Sequence, residues 1–265
     1  MTPVLAFDIE TVPDVEGLRH LSNLPASLSA SEIAEMAFRR RRQATGSDFL
    51  ALHLHRVVAI SCALRERNSF TVWSLGDADE SEAGLVQRFF DGVEKYSPQL
   101  VSWNGGGFDL PVLHYRALIH EVQARRYWDL GEDDRDFKFN NYISRYHSRH
   151  LDLMDVLSMY QPRASAPLDE IAQLLGFPGK LGMSGAQVWA AYQAGDIMAI
   201  RNYCETDVAN TYLTYLRFQL LRGAFTREQY ADEVSLARGA LARYPGEHWK
   251  QFLAAWNACR EAPRV

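Results

Sequence analysis

The chain has 265 residues, 47% of them hydrophobic and 23% charged, with a formal net charge of −5. That is enough to bury one core with room for an extension or insertion, and it excludes a disordered tract; any polyanion must be met by local basic patches, not a global field. Three scattered cysteines (Cys62, Cys204, Cys259) without a Cys-x-x-Cys pair argue against a disulfide framework and a structural zinc site, and without a basic leader or an apolar run near ~18–20 residues a reducing cytoplasm is the default compartment.

In chain order, Val4 to Phe7 is a short apolar run that ends in acid and reads as a buried strand. Residues 13–55 separate it from the next strand by far more than a hairpin needs. They hold a helical pattern from Ser31 to Gln43 and four successive arginines, Arg39 to Arg42. Arg56 to Leu64 and Ser69 to Leu75 read as two strands joined by a hairpin at Glu66-Arg67-Asn68. Glu82 to Tyr96 has helical spacing, with Leu85, Val86, Phe89, Phe90 and Val93 on one face. Gln99 to Trp103 is a fourth strand, and Asp109 to Val122 a helix that tolerates Pro111 in its first turn. Residues 123–150 form a charged connection with few helix signals. Leu151 to Tyr160, Pro167 to Leu175, Ala186 to Tyr192 and Asp196 to Leu221 read as helices, and Thr226 to Arg260 as two more, broken near Tyr244-Pro245-Gly246. This order predicts an α/β fold with a mixed sheet. The expected organisation is one domain over 1–222 carrying the insertion 13–55, with 223–265 as a helical C-terminal extension of it.

Three acidic motifs carry the chemistry. Asp8 and Glu10 lie two apart on a strand, so they share a face. Crowded carboxylates repel and raise each other's pKa, and a divalent cation relieves this; two independent, solvated acids at a strand end are the alternative. Asp109 follows Asn104-Gly105-Gly106-Gly107-Phe108, a glycine turn that admits unusual backbone paths and close ligand approach; Asp109 could equally be a first-turn helix acid. Tyr203 and Asp207 are four apart on a predicted helix and share a face, as ligand and water-aiming phenol or as core tyrosine and exposed acid. Asp152 reads mainly as a helix N-cap.

Phe7-Asp8-Ile9-Glu10-Thr11, then Asn-x-x-x-Phe-Asp, then Tyr-x-x-x-Asp, in that order, resembles the three motifs of the DEDD superfamily of 3′–5′ exonucleases, in its tyrosine-bearing branch. The middle motif is similar to that of the proofreading domain of bacterial family B DNA polymerases, here without room for a polymerase. The likeness covers 1–12, 56–122 and 196–221, is weak in 13–55 and 123–150, and is absent from the tail. It implies a ribonuclease H-like fold and two divalent cations, Mg²⁺ or Mn²⁺, roughly 3.5–4 Å apart. Asp8 would bridge them. Glu10 and Asp207 would complete the first site, Asp109 would help hold the second, and Tyr203 would orient the attacking water.

For substrate, the resemblance places Ile9 and Thr11 at the terminal sugar. Asn104 is a candidate contact to the terminal nucleotide, or a brace for the glycine turn; Phe108 is a candidate base-stacking group, or a core side chain. Arg39 to Arg42, Arg125-Arg126 and the tyrosine-interleaved segment 140–150 offer positive charge, although Glu132, Asp133, Asp134 and Asp136 argue against a simple stripe. The histidines pair with no serine or cysteine nucleophile, which disfavours a triad hydrolase. The expected function is metal-dependent 3′–5′ exonucleolytic hydrolysis of single-stranded nucleic acid, DNA before RNA, releasing nucleoside monophosphates. No membrane and no obligate protein partner is expected. The rival readings are a nucleic-acid-binding protein with a silent site and a small-nucleotide phosphodiesterase.

Overall fold

A computed structural model describes residues 2–261. Its centre is a five-stranded sheet in the order β3-β2-β1-β4-β5. Strand β1 (Val4–Pro13) pairs antiparallel with β2 (His55–Glu66), and β2 pairs antiparallel with β3 (Ser69–Ser74) through the expected hairpin. On its other side β1 runs parallel to β4 (Gln99–Ser102), which runs parallel to β5 (His150–Asp152). This is the mixed sheet of a ribonuclease H-like α/β fold. Strand β5 corrects the sequence reading, which began a helix at Leu151. Three residues are too few to show a period, and only pairing to β4 makes them a strand.

Alternation along β1 divides the core. Leu5, Phe7 and Ile9 join Phe89, Phe90, Leu110 and Leu113 from α3 (Glu82–Tyr96) and α4 (Asp109–Ile119) on one face. Val4 and Ala6 join Val208, Tyr212 and Leu216 of α8 (Ile197–Leu221) on the other. That second core also takes Ala237, Leu241, Trp249, Phe252 and Trp256 from α9 (Arg227–Leu241) and α10 (Glu247–Glu261). Because both faces of this layer are covered, α8 is buried on almost every side from Tyr203 onward, and its sequence carries no clear amphipathic stripe.

The segment between β1 and β2 folds into α1 (Val15–Leu21) and α2 (Ala30–Thr45) around Leu18, Ile33 and Leu50. Helix α2 starts at a capping box in which Ser29 and Glu32 satisfy each other's backbone amides. Arg116 of α4 ties this segment down, donating to Asp14, the N-cap of α1, at 2.6 Å while also pairing with buried Glu82 at 2.5 Å. Helices α5 (Leu153–Leu157), α6 (Leu168–Leu174) and α7 (Val188–Gln193) fill the path from β5 to α8.

Candidate active site

The alternation that buries Val4 and Ala6 under α8 carries on to Asp8 and Glu10, so both carboxylates face that helix. Helix α8 presents Tyr203 and Asp207 from successive turns. Asp109 arrives from the opposite side, at the start of α4. Strand β4 pairs with β1 only as far as Ala6, so the Ile9 amide has no strand partner on that edge. The Asp109 carboxylate takes the strand's place, accepting from Ile9 N–H at 3.1 Å. The end of one short strand thus brings Asp109 into electrostatic reach of Asp8 and Glu10, as Asp207 is from α8.

The turn between β4 and α4 is shaped differently from the sequence expectation. The left-handed backbone falls on Asn104, at φ 65°, and not on the glycines. Asparagine tolerates that region. The glycines are required by close approach. A Cβ on Gly105 would stand 2.3 Å from Ser102 Oγ, and one on Gly107 2.4 Å from Asn104 Oδ1. Asp152, the N-cap of α5, also clasps this turn, accepting from Asn104 N–H and Gly106 N–H at 2.9 Å each.

Glu10, Asp109 and Asp207 are buried, while Asp8 keeps partial exposure. Burial, then Asp109 and Asp207, pushes Asp8 well above the usual carboxylate range, and burial followed by Asp8 does the same to Glu10. Burial lifts Asp109 to about 7. Asp207 is raised by burial and partly relieved by Lys180. Its Oδ1 is buried without any hydrogen-bond partner. Burial and crowding thus shift these acids toward the protonated form, and positive charge beside them, as Lys180 supplies at Asp207, shifts them back. Ligand atoms of Asp8, Glu10 and Cys204 lie within 4.8 Å of one another, close enough to share a metal ion. The Cys204 thiol donates weakly to the Asp8 carbonyl at 3.4 Å. A cavity of about 500 Å³, lined by Asp8, Trp103, Asn104, Pro167, Lys180 and Asp207 among others, leads to the cluster.

Sequence reasoning missed Lys180. Its Nζ lies 3.4 Å from Asp207 Oδ2 and donates to the Tyr203 hydroxyl at 2.5 Å. An ammonium only donates, so the phenol oxygen accepts and the phenol keeps its own hydrogen, with the Asp207 carboxylate as a neighbouring acceptor. Burial and the neighbouring carboxylates push the Tyr203 pKa upward, which keeps that hydrogen in place. The one available signal was scarcity, since Lys180 is one of four lysines in a chain whose positive charge is otherwise arginine.

The expected substrate residues are distributed unevenly. Ile9 is buried in the α3–α4 core. Thr11 Oγ1 bonds His55 Nδ1 at 2.8 Å, just past a bulge at Glu10/Thr11. Phe108 is half-buried, with its ring edge-on to His55. The basic segments are largely neutralised: Arg125 pairs with Asp133, Arg126 with Asp129 and Asp134, and Arg145 with Asp155, while Arg149 donates to backbone carbonyls.

Residues 47–256 match the family described as a predicted 3′–5′ exonuclease related to the exonuclease domain of PolB. The chain belongs to this family. The match covers the glycine turn, Asp109, Lys180, Tyr203 and Asp207, and begins after Asp8 and Glu10, which join these residues through the β1–β2 pairing. The chain is also similar to the catalytic subunit of DNA polymerase epsilon from Saccharomyces cerevisiae, at 26% identity over 156 residues. That likeness covers 56% of this chain and 6% of the polymerase's catalytic subunit.

Proposed function

We propose that this exonuclease-family protein hydrolyses phosphodiester bonds stepwise from single-stranded 3′ ends, with two divalent cations, Mg²⁺ or Mn²⁺, held by Asp8, Glu10, Asp109 and Asp207. The observation that carries the reading is the convergence of four carboxylates whose ionisation is opposed by burial, one of them with a buried oxygen that has no partner. Hard oxygen donors in this number fit Mg²⁺ or Mn²⁺. Bound there, the cations supply Lewis acidity, making water a usable nucleophile near neutral pH and offsetting charge on the phosphate.

The chain's own groups do the positioning. Tyr203, fixed by Lys180, directs its hydroxyl hydrogen at the incoming water. The Lys180 charge steadies Asp207 and is partly exposed toward the cavity. Water adds to phosphorus, the bond to the preceding nucleotide's 3′ oxygen breaks, and a nucleoside 5′-monophosphate leaves. Asn104 at the cavity wall and Phe108 beside Asp109 receive the terminal nucleotide, with the Ile9 backbone and Thr11 at its sugar. Residues 1–222 form the exonuclease domain with the insertion 13–55, and 223–265 extend it. Purified protein incubated with 5′-labelled and 3′-labelled single-stranded oligonucleotides tests the reading. The expected result is a ladder shortening from the 3′ end in Mg²⁺ or Mn²⁺ and none in EDTA. Shortening from the 5′ end, or turnover undiminished in EDTA, would refute it, and matched dinucleotides separate it from a small-nucleotide phosphodiesterase.

A further inference from the structure

The segment between β1 and β2 is larger than the connection requires, and it meets the candidate site at Phe108 through Phe49 and His55. Phe49, just after α2, is 52% exposed, yet its ring packs against Phe108 at 5.5 Å and His55 at 5.1 Å between centroids. Its backbone is pinned as well, because Arg41 Nε donates to the Phe49 carbonyl at 2.9 Å. The ring is therefore held in place with one face open to solvent. Phe108 in turn immediately precedes Asp109, so Phe49 continues an aromatic surface outward from the carboxylates.

The same segment holds a groove of about 860 Å³ lined by Leu18, Ile33, Leu54, Arg39, Arg40 and Arg41 among others. Arg39 and Arg40 are exposed and form no ion pair among the described residues, and Glu35, one turn earlier, does not neutralise Arg39. This sets them apart from Arg125, Arg126 and Arg145, whose charge is taken up by neighbouring aspartates. In a chain of net charge −5, unpaired arginines on the segment that also carries Phe49 supply local positive charge of the kind a polyanion needs.

We infer that the segment 13–55 is a binding arm for the single strand behind the 3′ end, with Phe49 stacking a base and Arg39 and Arg40 meeting backbone phosphates. This rests on the hydrolase reading above and adds to it a footprint longer than the terminal nucleotides. The arm makes affinity depend on length, because a short oligomer fills the carboxylate site without reaching α2.

Fluorescence anisotropy with 5′-labelled dT4 and dT16, in Ca²⁺ to hold back turnover, tests the inference on the full chain. Wild-type protein should bind dT16 more tightly than dT4. Arg39→Ala/Arg40→Ala should weaken dT16 more than dT4 and lower the slope of log affinity against log salt by about 1.4, roughly 0.7 for each arginine on a single strand. Phe49→Ala should weaken dT16 by roughly five- to a hundredfold, the usual range for one stacked base. Thermal melting shows that each variant is folded, and Phe49→Trp, which keeps a stacking face, should retain binding where Phe49→Ala loses it. Wild-type affinity and salt slope in the double-arginine variant, or no advantage of dT16 over dT4 in the wild type, would overturn the arm. The two readings fail separately: a protein that shortens no oligonucleotide in any metal loses the hydrolase reading, whereas one that trims normally with an unaltered salt slope loses only the arm.

Discussion

At Asp8 two constraints meet. The residue continues the buried row Val4–Ala6, yet stays partly exposed and, like Asp207, lines the cavity. Asp8→Ala should lower turnover on the order of a thousandfold or more while far-UV circular dichroism is preserved. Tyr203→Phe should cost less than Asp207→Ala, because the first removes only a directing hydrogen and the second an anionic ligand; equal losses would contradict that division. The same residues predict a pH dependence of stability without metal. Asp109 is raised from about 3.9 in the unfolded chain to about 7, and Asp8, Glu10 and Asp207 shift the same way. A raised pKa means the folded state holds protons that the unfolded state has released, so stability is lost as pH rises through the folded values. Buried His114 and His150, pushed down to about 4, act oppositely, but only below about 6.5, where the unfolded histidines titrate. Above about pH 6.5 the histidine contribution fades and the carboxylates lead the slope, joined at about pH 8.5 by the buried thiols of Cys62 and Cys204, which act in the same direction. In EDTA the melting temperature should fall from about pH 6.5 to 8.5, and Mn²⁺ should raise it most at the alkaline end. A melting temperature that climbs with pH in EDTA would show that the acids ionise freely.

Among the elements, the turn from β4 to α4 governs where Asp109 stands. It is held by Asp152 from β5 and by contacts that leave no room for side chains at Gly105 and Gly107. Gly105→Ala would drive a methyl group into buried Ser102, whose Cβ as well as its Oγ lies within 2.5 Å of the added carbon. The expected cost is about 1–3 kcal/mol of stability, read as a lower denaturant midpoint, together with slower turnover as Asp109 is displaced. Unchanged stability would mean that the turn relaxes independently of the sheet. The acidic motif was legible in sequence because strand alternation and helix spacing are local rules. The clasp was not, since Asp152 reaches Asn104 and Gly106 only after β5 has docked beside β4.

For the whole molecule, the decisive arrangement is two apolar layers sharing one sheet. Trp249, Phe252 and Trp256 of the last helix lie in the same cluster as Phe70 of β3 and Tyr212 and Leu216 of α8, the helix that also carries Tyr203 and Asp207. A chain ended after residue 222 would bare that cluster along β3 and α8. It should collect in the insoluble fraction or bind a hydrophobic dye, and a soluble, cooperatively melting product would show that the last two helices are dispensable. On the opposite face, Arg116 links Asp14, Glu82 and α4, so the arm between β1 and β2 is fastened to the layer that places Asp109.

The α/β order, the three acidic motifs, the helix carrying Arg39 to Arg42, and the resemblance that the family match bears out were all legible in the residues. These depend on periodicity, capping and residue chemistry, which act over a few residues. Packing across the fold made β5 a strand, set Lys180 beside Asp207 and Tyr203, paired Arg125, Arg126 and Arg145 with aspartates, and brought Phe49 against Phe108. Each of those is a meeting of side chains or strands set by packing, and local periodicity carries no record of which partner a charge, a ring or a short strand will find once the core closes.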